Sequence, residues 1–480
     1  MNDQTPQSID AALTEIRSIL GSKGWLEDPN DTLKYRTDWR GAPTGDAFGV
    51  ARPASTEETA AVVRAAAKAD IAIVPQGGNT GLAIGSVPTE PRPTIVVSTD
   101  RLTTVRSLDP ENYAMIAEAG CVIQNMQAVA AEAGRLFPLS LASEGSSTVG
   151  GTLSTNAGGN NTIKYGNTRE QILGVEAVLP DGSVFDGLET LRKNNTGYDM
   201  KQMFIGAEGT LGIVTAAAFR LMPLPRVRET AMLSVPSPHE AQHLLSSARE
   251  LSGDTILAFE IMPRASFDMA IRYIDGITDP LAERSPWYVL LEMGTPSPLD
   301  DLRAKLEAIF TEAMEQGWVT DGVIAENEGQ RRELWRIREE QAEAGKREGT
   351  PRMAGDVSVP VSKVATFIDQ SQASLSEYVP GLAFNCFGHM GDGNIHYTAR
   401  KPADMSDEEW EVKKPGLSQR MYESTIALGG SISAEHGIGS EKLPYLIKYG
   451  SPSKIALMQA VKKAIDPKGI MNPGKVVPES

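Results

Sequence analysis

The residues of this chain best suited to chemistry are three clustered histidines and a glutamate beside one of them. The segment "FGHMGDGNIH" holds His389 and His396 around a Gly-Asp-Gly turn, and "SAEHGIG" holds Glu435 and His436 side by side. The chain has only five histidines in total. Two imidazoles and a carboxylate with an open coordination position form the ligand set of a catalytic zinc site. The pattern predicts that His389, His396 and Glu435 bind Zn²⁺ or another divalent metal.

A second interpretation of these histidines is ordinary packing. Their spacing is not the H-x-x-x-H of a helix, so metal ligands would have to come from loops and strand ends. A single histidine in a strand-like segment such as "NIHYT" is more often a hydrogen-bonded core residue than a ligand. The clustering of three histidines in glycine-containing turns favours the metal site.

Glycines arrive in three bursts in the first half of the chain: "QGGNTGLAIG", "EGSSTVGGTLSTNAGGNN" and "GAEGTLGIV". Glycine allows a backbone to approach a pyrophosphate closely, and its unobstructed N–H groups can donate to the phosphate oxygens. No G-x-G-x-x-G opens a helix in the first burst, and there is no G-x-x-x-x-G-K-[ST], so a Rossmann or Walker site is not indicated. One burst alone is more typical of a tight turn, whereas the three together favour a dinucleotide site of another architecture.

Longer motifs in the same regions resemble a known family. "PQGGNTGL", "STNAGGNNTIKYGNTREQILGVEAVLPDGSV", "NNTGYDMKQMFIGAEGTLGIVT" and "IDPKGIMNPGK" closely resemble the FAD-linked oxidases of the vanillyl-alcohol-oxidase type, from about residue 40 to the end. The resemblance implies an α+β fold with a VAO/PCMH-type FAD-binding domain, an α+β substrate (cap) domain and a C-terminal helical segment. It also implies that FAD is bound by Pro75, Gly77, Gly78, Asn79, Thr80, Gly81, Gly145, Gly150, Gly151, Ser154, Asn156, Gly158, Gly159, Gly209, Ile213 and Asn472.

Some members of that family attach their flavin covalently through a histidine beside the pyrophosphate loop. Here the loop holds Asn79, and the first histidine of the chain is His239. We therefore expect FAD to be bound non-covalently.

The histidine segments refine the resemblance. "GHMGDGNIH" and "SAEHGIG" are similar to the D-2-hydroxy-acid dehydrogenase branch, above all to its hydroxyglutarate-oxidising members. By that resemblance His389, His396 and Glu435 are metal ligands and His436 is the general base. The implied reaction oxidises a D-2-hydroxy acid to the 2-oxo acid by hydride transfer to flavin N5. D-lactate, D-malate or a bulkier D-2-hydroxy acid stays open as substrate, and so does a flavin oxidase that uses oxygen. A non-catalytic FAD-binding module is disfavoured, because it would not need Glu435 beside His436.

The substrate pocket departs from the hydroxyglutarate pattern. Arg338 in "LWRIREE" matches the family arginine that binds a distal carboxylate, a role suited to a bidentate guanidinium. A solvated helix charge is the alternative interpretation of this arginine. The family threonine and lysine positions hold Ala342 and Ala354, and a family asparagine position holds Thr398. Arg352 is the nearest basic residue that could compensate, so these changes put the substrate in doubt more than the reaction.

Chain length and a proline-rich segment predict the domain organisation. A length of 480 residues suggests two or three domains. The proline-rich "RLMPLPRVRE" after a strand-like segment marks a boundary near residue 226. We expect four segments: an N-terminal helical appendage (1–45), the FAD-binding domain (46–225), the substrate domain with the metal-ligand loop (226–425), and a C-terminal helical segment near the flavin (426–480).

The bulk composition bears on partners and location. The 62 acidic against 46 basic residues give a net charge of −16, which disfavours nucleic acid as a partner. The two cysteines lack C-x-x-C spacing, and the chain shows neither a signal peptide nor an uninterrupted apolar stretch of membrane-spanning length. We therefore expect a cytoplasmic protein that is not integral to a membrane. The resemblance implies electron-transfer flavoprotein or a quinone as electron acceptor, and relatives often form homodimers.

Overall fold

The computed structural model describes residues 8–478, which fold as two compact units. Within these residues, unit 1 comprises 8–158, Gly166–Pro223 and 435–478, and unit 2 comprises Gly159–Tyr165 and Leu224–Ala434. The division into four segments expected from the sequence stays a prediction. Within residues 8–478, every helix is too short or too polar to span a bilayer.

Unit 1 combines helices with three small sheets. Its helices are α1 (Ile9–Gly24), α2 (Pro29–Arg36), α3 (Thr56–Lys68), α4 (Ile123–Glu132), α5 (Val149–Thr155), α7 (Thr168–Gln171), α15 (Leu443–Tyr449) and α16 (Pro452–Ile465), with a 3-10 helix at Met200–Met203. Its strands are β1 (Trp25–Leu26), β2 (Val50–Ala51), β3 (Ala72–Gln76), β4 (Thr94–Ser98), β5 (Val105–Asp109), β6 (Ala114–Glu118), β7 (Arg135–Leu136), β8 (Ile172–Val178), β9 (Val184–Gly187), β10 (Ile213–Arg220) and β11 (Met222–Pro223).

The sheets of unit 1 carry its two cores. The four-stranded sheet runs in the order β1-β2-β4-β3, and β4 is parallel to both β2 and β3. The five-stranded sheet, β5-β6-β10-β8-β9, is antiparallel, and β11 pairs with β7. One core packs α1 and α3 against the first sheet, and the other packs α4 and α5 against the second. Because both sheets are packed in these cores, they hold in place the loop that follows β3 and the loop that precedes α5.

Local sequence accounts for the helices that support this unit. Ser8 accepts a hydrogen bond from the N–H of Ala11, as an N-cap does, and Leu13, Ile16 and Leu20 of α1 are buried at three- and four-residue steps. The prediction of a capped helix here is confirmed. α16 ends at Ile465, before Asp466-Pro467, as the proline predicted.

Unit 2 is a seven-stranded antiparallel sheet covered by helices. Its strands are β12 (Val227–Val235), β13 (Ile256–Pro263), β14 (Trp287–Thr295), β15 (Asp321–Ile324), β16 (Arg352–Ser358), β17 (Ala383–His389) and β18 (Asn394–Arg400). Its helices are α6 (Thr162–Tyr165), α8 (Pro238–Ser252), α9 (Arg264–Tyr273), α10 (Leu302–Glu315), α11 (Glu328–Glu339), α12 (Gln341–Glu348), α13 (Val364–Tyr378) and α14 (Asp407–Ala427), with a 3-10 helix at Val361–Lys363. The strand order is β15-β12-β14-β13-β17-β18-β16.

The register of this sheet gathers polar side chains on one face. His396 of β18 lies between Asp356 of β16 and Phe387 of β17, and His389 of β17 lies opposite Glu260 of β13. Alternate residues of a strand share a face, so His389 and Phe387 point to the same side of the sheet. The two "FGHMGDGNIH" histidines therefore share one face, at the end of the β17–β18 hairpin.

Candidate active site

A cavity of about 250 Å³ in unit 1 is bounded by the glycine-rich loops. It lies at the end of β3 and the start of α5, and the segment from Glu208 to Val214 closes part of its wall. A Cβ at Gly78 would lie 2.0 Å from the carbonyl oxygen of Ser146. Only glycine allows the two loops to approach this closely, so this part of the cavity wall consists of backbone atoms. Such a wall, rich in unobstructed amides, suits a pyrophosphate.

Most of the residues implied to bind FAD line this cavity. They are Pro75, Gly77, Gly78, Asn79, Thr80, Gly81, Gly150, Gly151, Ser154, Gly209 and Ile213. Five others are absent from its lining: Gly145, Asn156, Gly158, Gly159 and Asn472. The FAD-binding role of each residue stays a prediction.

Two of those five fix loops around the cavity. Asn156 ends α5 in a left-handed conformation, and its side-chain oxygen accepts from the N–H of Arg169. The side-chain amide of Asn472 donates to the carbonyl oxygens of Gly85 and Glu208, both cavity-lining residues. Asn472 therefore ties the C-terminal "NPGK" segment to the cavity wall.

The cavity wall also contains Glu435 and His436. The "SAEHGIG" carboxylate and imidazole thus lie beside the loops suited to a dinucleotide. Glu208, another lining residue, went unnoticed in the sequence. Burial raises the pKa of its carboxyl to about 6, although the N–H groups of Ile438 and Gly439 and the charge of Lys442 act to lower it.

In unit 2, a buried carboxylate joins His389 to Arg338. Glu260 Oε1 lies 2.7 Å from His389 Nδ1, and Glu260 Oε2 accepts from Arg338 Nε at 2.7 Å. Burial alone would raise the pKa of Glu260, but the charges and hydrogen bonds of His389 and Arg338 outweigh burial and hold it at about 2. A carboxylate on one ring nitrogen orients the imidazole and leaves the other nitrogen to face a ligand. The sequence near His389 gives no indication of Glu260, which lies 129 residues away along the chain.

His396 has a carboxylate neighbour of its own. Its Nδ1 lies 3.7 Å from Oδ1 of Asp356, which also accepts from the side-chain amide of Asn394 at 2.8 Å. The rings of His389 and His396 are 5.3 Å apart between centroids. The N–H of Ala434 donates to the carbonyl oxygen of Asp356, and Glu435 and His436 follow directly in the chain.

Each unit contains an imidazole and a carboxylate of the types that bind a metal. In unit 2 these are His396 and Asp356, with 3.7 Å between Nδ1 and Oδ1, and in unit 1 they are His436 and Glu435, which are adjacent in the chain. Imidazole nitrogen and carboxylate oxygen together suit zinc. Asp356 was not in the predicted set. The assignment of His389, His396 and Glu435 as ligands stays a prediction.

The predicted substrate residues belong to the same region of unit 2. Arg338 is buried, and its guanidinium carbon lies 4.9 Å from the ring centre of Phe387, the cross-strand neighbour of His396. Thr398 pairs with Ala354 and lies two residues beyond His396, on the same face of the sheet. Arg352 is two residues further along that strand face, and its Nη1 donates to the carbonyl oxygen of Gly345 in α12.

Two protein-family descriptions match the chain: "FAD binding domain" over residues 48–187 and "FAD linked oxidases, C-terminal domain" over residues 224–476. The chain belongs to the FAD-linked oxidases. This membership confirms the family resemblance seen in the sequence and the expected use of FAD.

Relatives similar over nearly the whole chain carry one name. The D-2-hydroxyglutarate dehydrogenase of Arabidopsis thaliana mitochondria is 37% identical over 97% of this chain and 81% of its own length. The D-2-hydroxyglutarate dehydrogenase of Xanthomonas citri pv. viticola is 36% identical over 97% of each chain. The family resemblance therefore extends to the D-2-hydroxy-acid dehydrogenase branch.

Solved structures confirm the fold. p-Cresol methylhydroxylase with substrate bound matches at a TM-score of 0.76 and 17% identity, over 98% of this chain and 97% of that chain. Alkyldihydroxyacetonephosphate synthase matches at a TM-score of 0.75 and 18% identity, over 99% of this chain and 88% of that chain. The expected α+β, VAO/PCMH-type FAD-binding fold is confirmed.

Proposed function

We propose that this protein is a dehydrogenase that oxidises a D-2-hydroxy acid, with 2-hydroxyglutarate as the reference substrate, to the 2-oxo acid. The observation that carries the proposal is that Glu435 and His436 line the same glycine-bounded cavity that suits FAD. The relatives named D-2-hydroxyglutarate dehydrogenase supply the substrate class. The cavity loop has Asn79 in place of a histidine, which supports a non-covalently bound flavin.

The oxidation removes a proton from the substrate hydroxyl and a hydride from its Cα. FAD, when bound, supplies the acceptor for that hydride. His436 takes the hydroxyl proton on a ring nitrogen, so that the oxygen can form the carbonyl as the C–H bond breaks. The glycine loops would let the backbone approach FAD closely, because they pack where a Cβ at Gly78 would clash with the Ser146 carbonyl oxygen.

A divalent metal ion, held by His396 and Glu435 with His389 as the third ligand, is part of the proposal. Asp356, 3.7 Å from His396, and Glu260, 2.7 Å from His389, support it, because metal-binding imidazoles are commonly oriented by carboxylates. Such an ion would bind the hydroxyl and one carboxylate oxygen of a 2-hydroxy acid and lower the hydroxyl pKa. Asp356, beside His396, is the alternative third ligand.

For the distal end of the substrate we propose Arg352 together with Arg338. The cross-strand pair Ala354–Thr398 lies two residues from the Asp356–His396 pair on the same face of the sheet and carries no charge. Arg352 follows Ala354 on that face. One Arg338 nitrogen, Nε, is already bonded to Glu260. An acid whose distal carboxylate reaches Arg352 fits this arrangement, so substrate chain length is a variable to test.

The experiment is His436→Ala, with anaerobic mixing of enzyme and D-2-hydroxyglutarate. We expect unchanged flavin spectrum and metal content but loss of flavin reduction, because only the proton acceptor is removed. Loss of the metal would instead identify His436 as a ligand, and near-normal reduction would exclude it as the base. His239→Ala is the matched control, since His239 is 50% exposed and paired with Asp369.

We further propose that the reduced flavin passes its electrons to electron-transfer flavoprotein or a quinone. The sequence offers neither an NAD fingerprint nor iron–sulfur cysteines as another route. Mixing reduced enzyme with air-saturated buffer separates this from the oxidase alternative. Rapid reoxidation with stoichiometric peroxide would favour the oxidase.

A further inference from the structure

Glu208 of the "GAEGTLG" motif is a buried carboxylate whose two oxygens are bonded to the backbone that follows His436. Oε1 accepts from the N–H of Ile438 at 2.7 Å, and Oε2 accepts from the N–H of Gly439 at 2.9 Å. A Cβ at Gly437 would lie 2.6 Å from Oε1, so this turn packs directly on the carboxylate. We call residues 437–439 the post-histidine turn.

The backbone of Glu208 is also hydrogen-bonded, through both its N–H and its carbonyl oxygen. The N–H of Glu208 donates to the carbonyl oxygen of Ser154, and its carbonyl oxygen accepts from the Asn472 side chain at 2.6 Å. Glu208 has a φ of 49°, a left-handed conformation that a non-glycine residue adopts only where its surroundings fix it. Ser154 and Glu208 both line the glycine-bounded cavity. Glu208 thus connects the cavity wall to the turn that carries His436.

A carboxylate is the side chain best suited to this position. Two backbone N–H groups aim at its two oxygens, and both oxygens accept. Glutamine in the same place would present one oxygen and one NH₂ group, so one of the two N–H donors would face another donor and lose its bond. An unsatisfied buried N–H is costly, and the turn would shift to satisfy it.

We propose that Glu208 is a positioning residue for His436: it fixes the post-histidine turn and thereby the place of the imidazole against the cavity. The inference rests on the proposed role of His436 as base. Misplacement of a reacting group by about 1 Å costs about 100-fold in rate, and loss of an orienting partner costs about 10- to 100-fold. Glu208→Gln is therefore expected to slow flavin reduction about 10- to 100-fold.

The kinetic test is a double-mutant cycle of Glu208→Gln and His436→Ala, measured by anaerobic stopped-flow in the FAD-loaded, metal-replete enzyme. We expect Glu208→Gln to lower the limiting rate of flavin reduction and to leave FAD content and the substrate Kd unchanged. In the His436→Ala background it should cause no further loss, because the two residues act as one unit. An equal loss in both backgrounds, or a rate within about twofold of wild type, would overturn the proposal.

Two further variants separate positioning from general damage. Glu208→Asp keeps the charge but withdraws the carboxylate, so it too should slow reduction if placement matters, whereas a wild-type rate would overturn the proposal. Glu176→Gln is the matched control: Glu176 is another largely buried carboxylate of unit 1, bonded to Thr56, Thr215 and Arg106. It should leave the reduction rate unchanged.

A second readout needs no substrate. With only five histidines, a spectrum of protein labelled with ¹⁵N-histidine can be assigned by single substitutions. Glu208→Gln should shift the imidazole signals of His436 and leave those of His239 and His243 in place. An unmoved His436 signal would overturn the proposal. If no 2-hydroxy acid reduces the wild-type flavin, the proposed function fails, and this spectrum still decides the role of Glu208.

Discussion

Glu260→Gln removes a buried charge that bridges two side chains of unit 2, and the structure allows its effect on stability to be worked out. The Glu260 carboxylate is about 1% exposed and bridges His389 and Arg338. Glutamine keeps the shape but removes the charge, which leaves the buried guanidinium of Arg338 without its counter-ion. Breaking a buried ion pair from one side costs about 3–5 kcal/mol.

The pKa of Glu260 gives the direction of the pH dependence. His389 and Arg338 lower it from 4.5 to about 2 in the folded protein, so the ionised carboxylate stabilises the fold. Because the folded pKa is the lower one, this stability is present in full above pH 4.5 and is lost as the pH falls toward 2. Glu260→Gln should therefore be less stable near neutrality and should lack this part of the acid sensitivity.

Urea denaturation followed by tryptophan fluorescence measures the effect. Four of the six tryptophans, Trp287, Trp318, Trp335 and Trp410, belong to unit 2, so the signal reports chiefly on the unit that contains Glu260. We expect a lower urea midpoint at pH 7 with an unchanged slope.

Glu328→Gln is the matched control for this measurement. The pKa of Glu328 is also lowered to about 2, chiefly by its hydrogen bond to Arg331, but its side chain is 55% exposed. Solvent screens such pairs, which contribute about 0–1 kcal/mol. Equal midpoint shifts for the two variants would refute the argument that burial gives the Glu260 bridge its strength.

The cavity supports two further predictions. Gly78→Ala places a Cβ 2.0 Å from the Ser146 carbonyl oxygen, so the purified variant should contain much less FAD per chain than wild type at equal far-UV circular dichroism; a full complement of FAD would show that the loops can move apart. Because Asn79 stands where a covalent attachment would need histidine, acid precipitation of the wild-type enzyme should release its yellow colour into the supernatant, and a yellow pellet would contradict non-covalent binding.

The sequence predicted the parts of the fold that depend on local chemistry. Ser8 and the apolar spacing of α1 predicted a capped helix, and Asp466-Pro467 predicted the end of α16, because caps and prolines act within a few residues. The glycine bursts predicted a dinucleotide site, and the cavity they line agrees with the family match to an FAD-binding domain. The resemblance, being carried by long motifs, supplied the fold.

Long-range partners could not be predicted in this way. Glu260 meets His389 because β13 pairs with β17, and nothing near either residue indicates that register. Glu208 meets the post-histidine turn across 230 residues. The only sequence signal for this contact was a glutamate enclosed by glycines in "GAEG", opposite two glycines in "HGIG". Asp356 was likewise missed as a neighbour of His396, because it lies on another strand.

We propose that a D-2-hydroxy acid reduces the flavin in the cavity bounded by the glycine-rich loops. Anaerobic titration of metal-replete enzyme with matched D- and L-2-hydroxy acids of increasing chain length, followed by bleaching of the visible flavin band, tests it directly. We expect bleaching by D-2-hydroxyglutarate or another D-2-hydroxy acid, with a preference for acids whose distal carboxylate reaches Arg352, and none by the L enantiomers. A flavin that stays oxidised with every D acid, or that bleaches only with L acids, would contradict it.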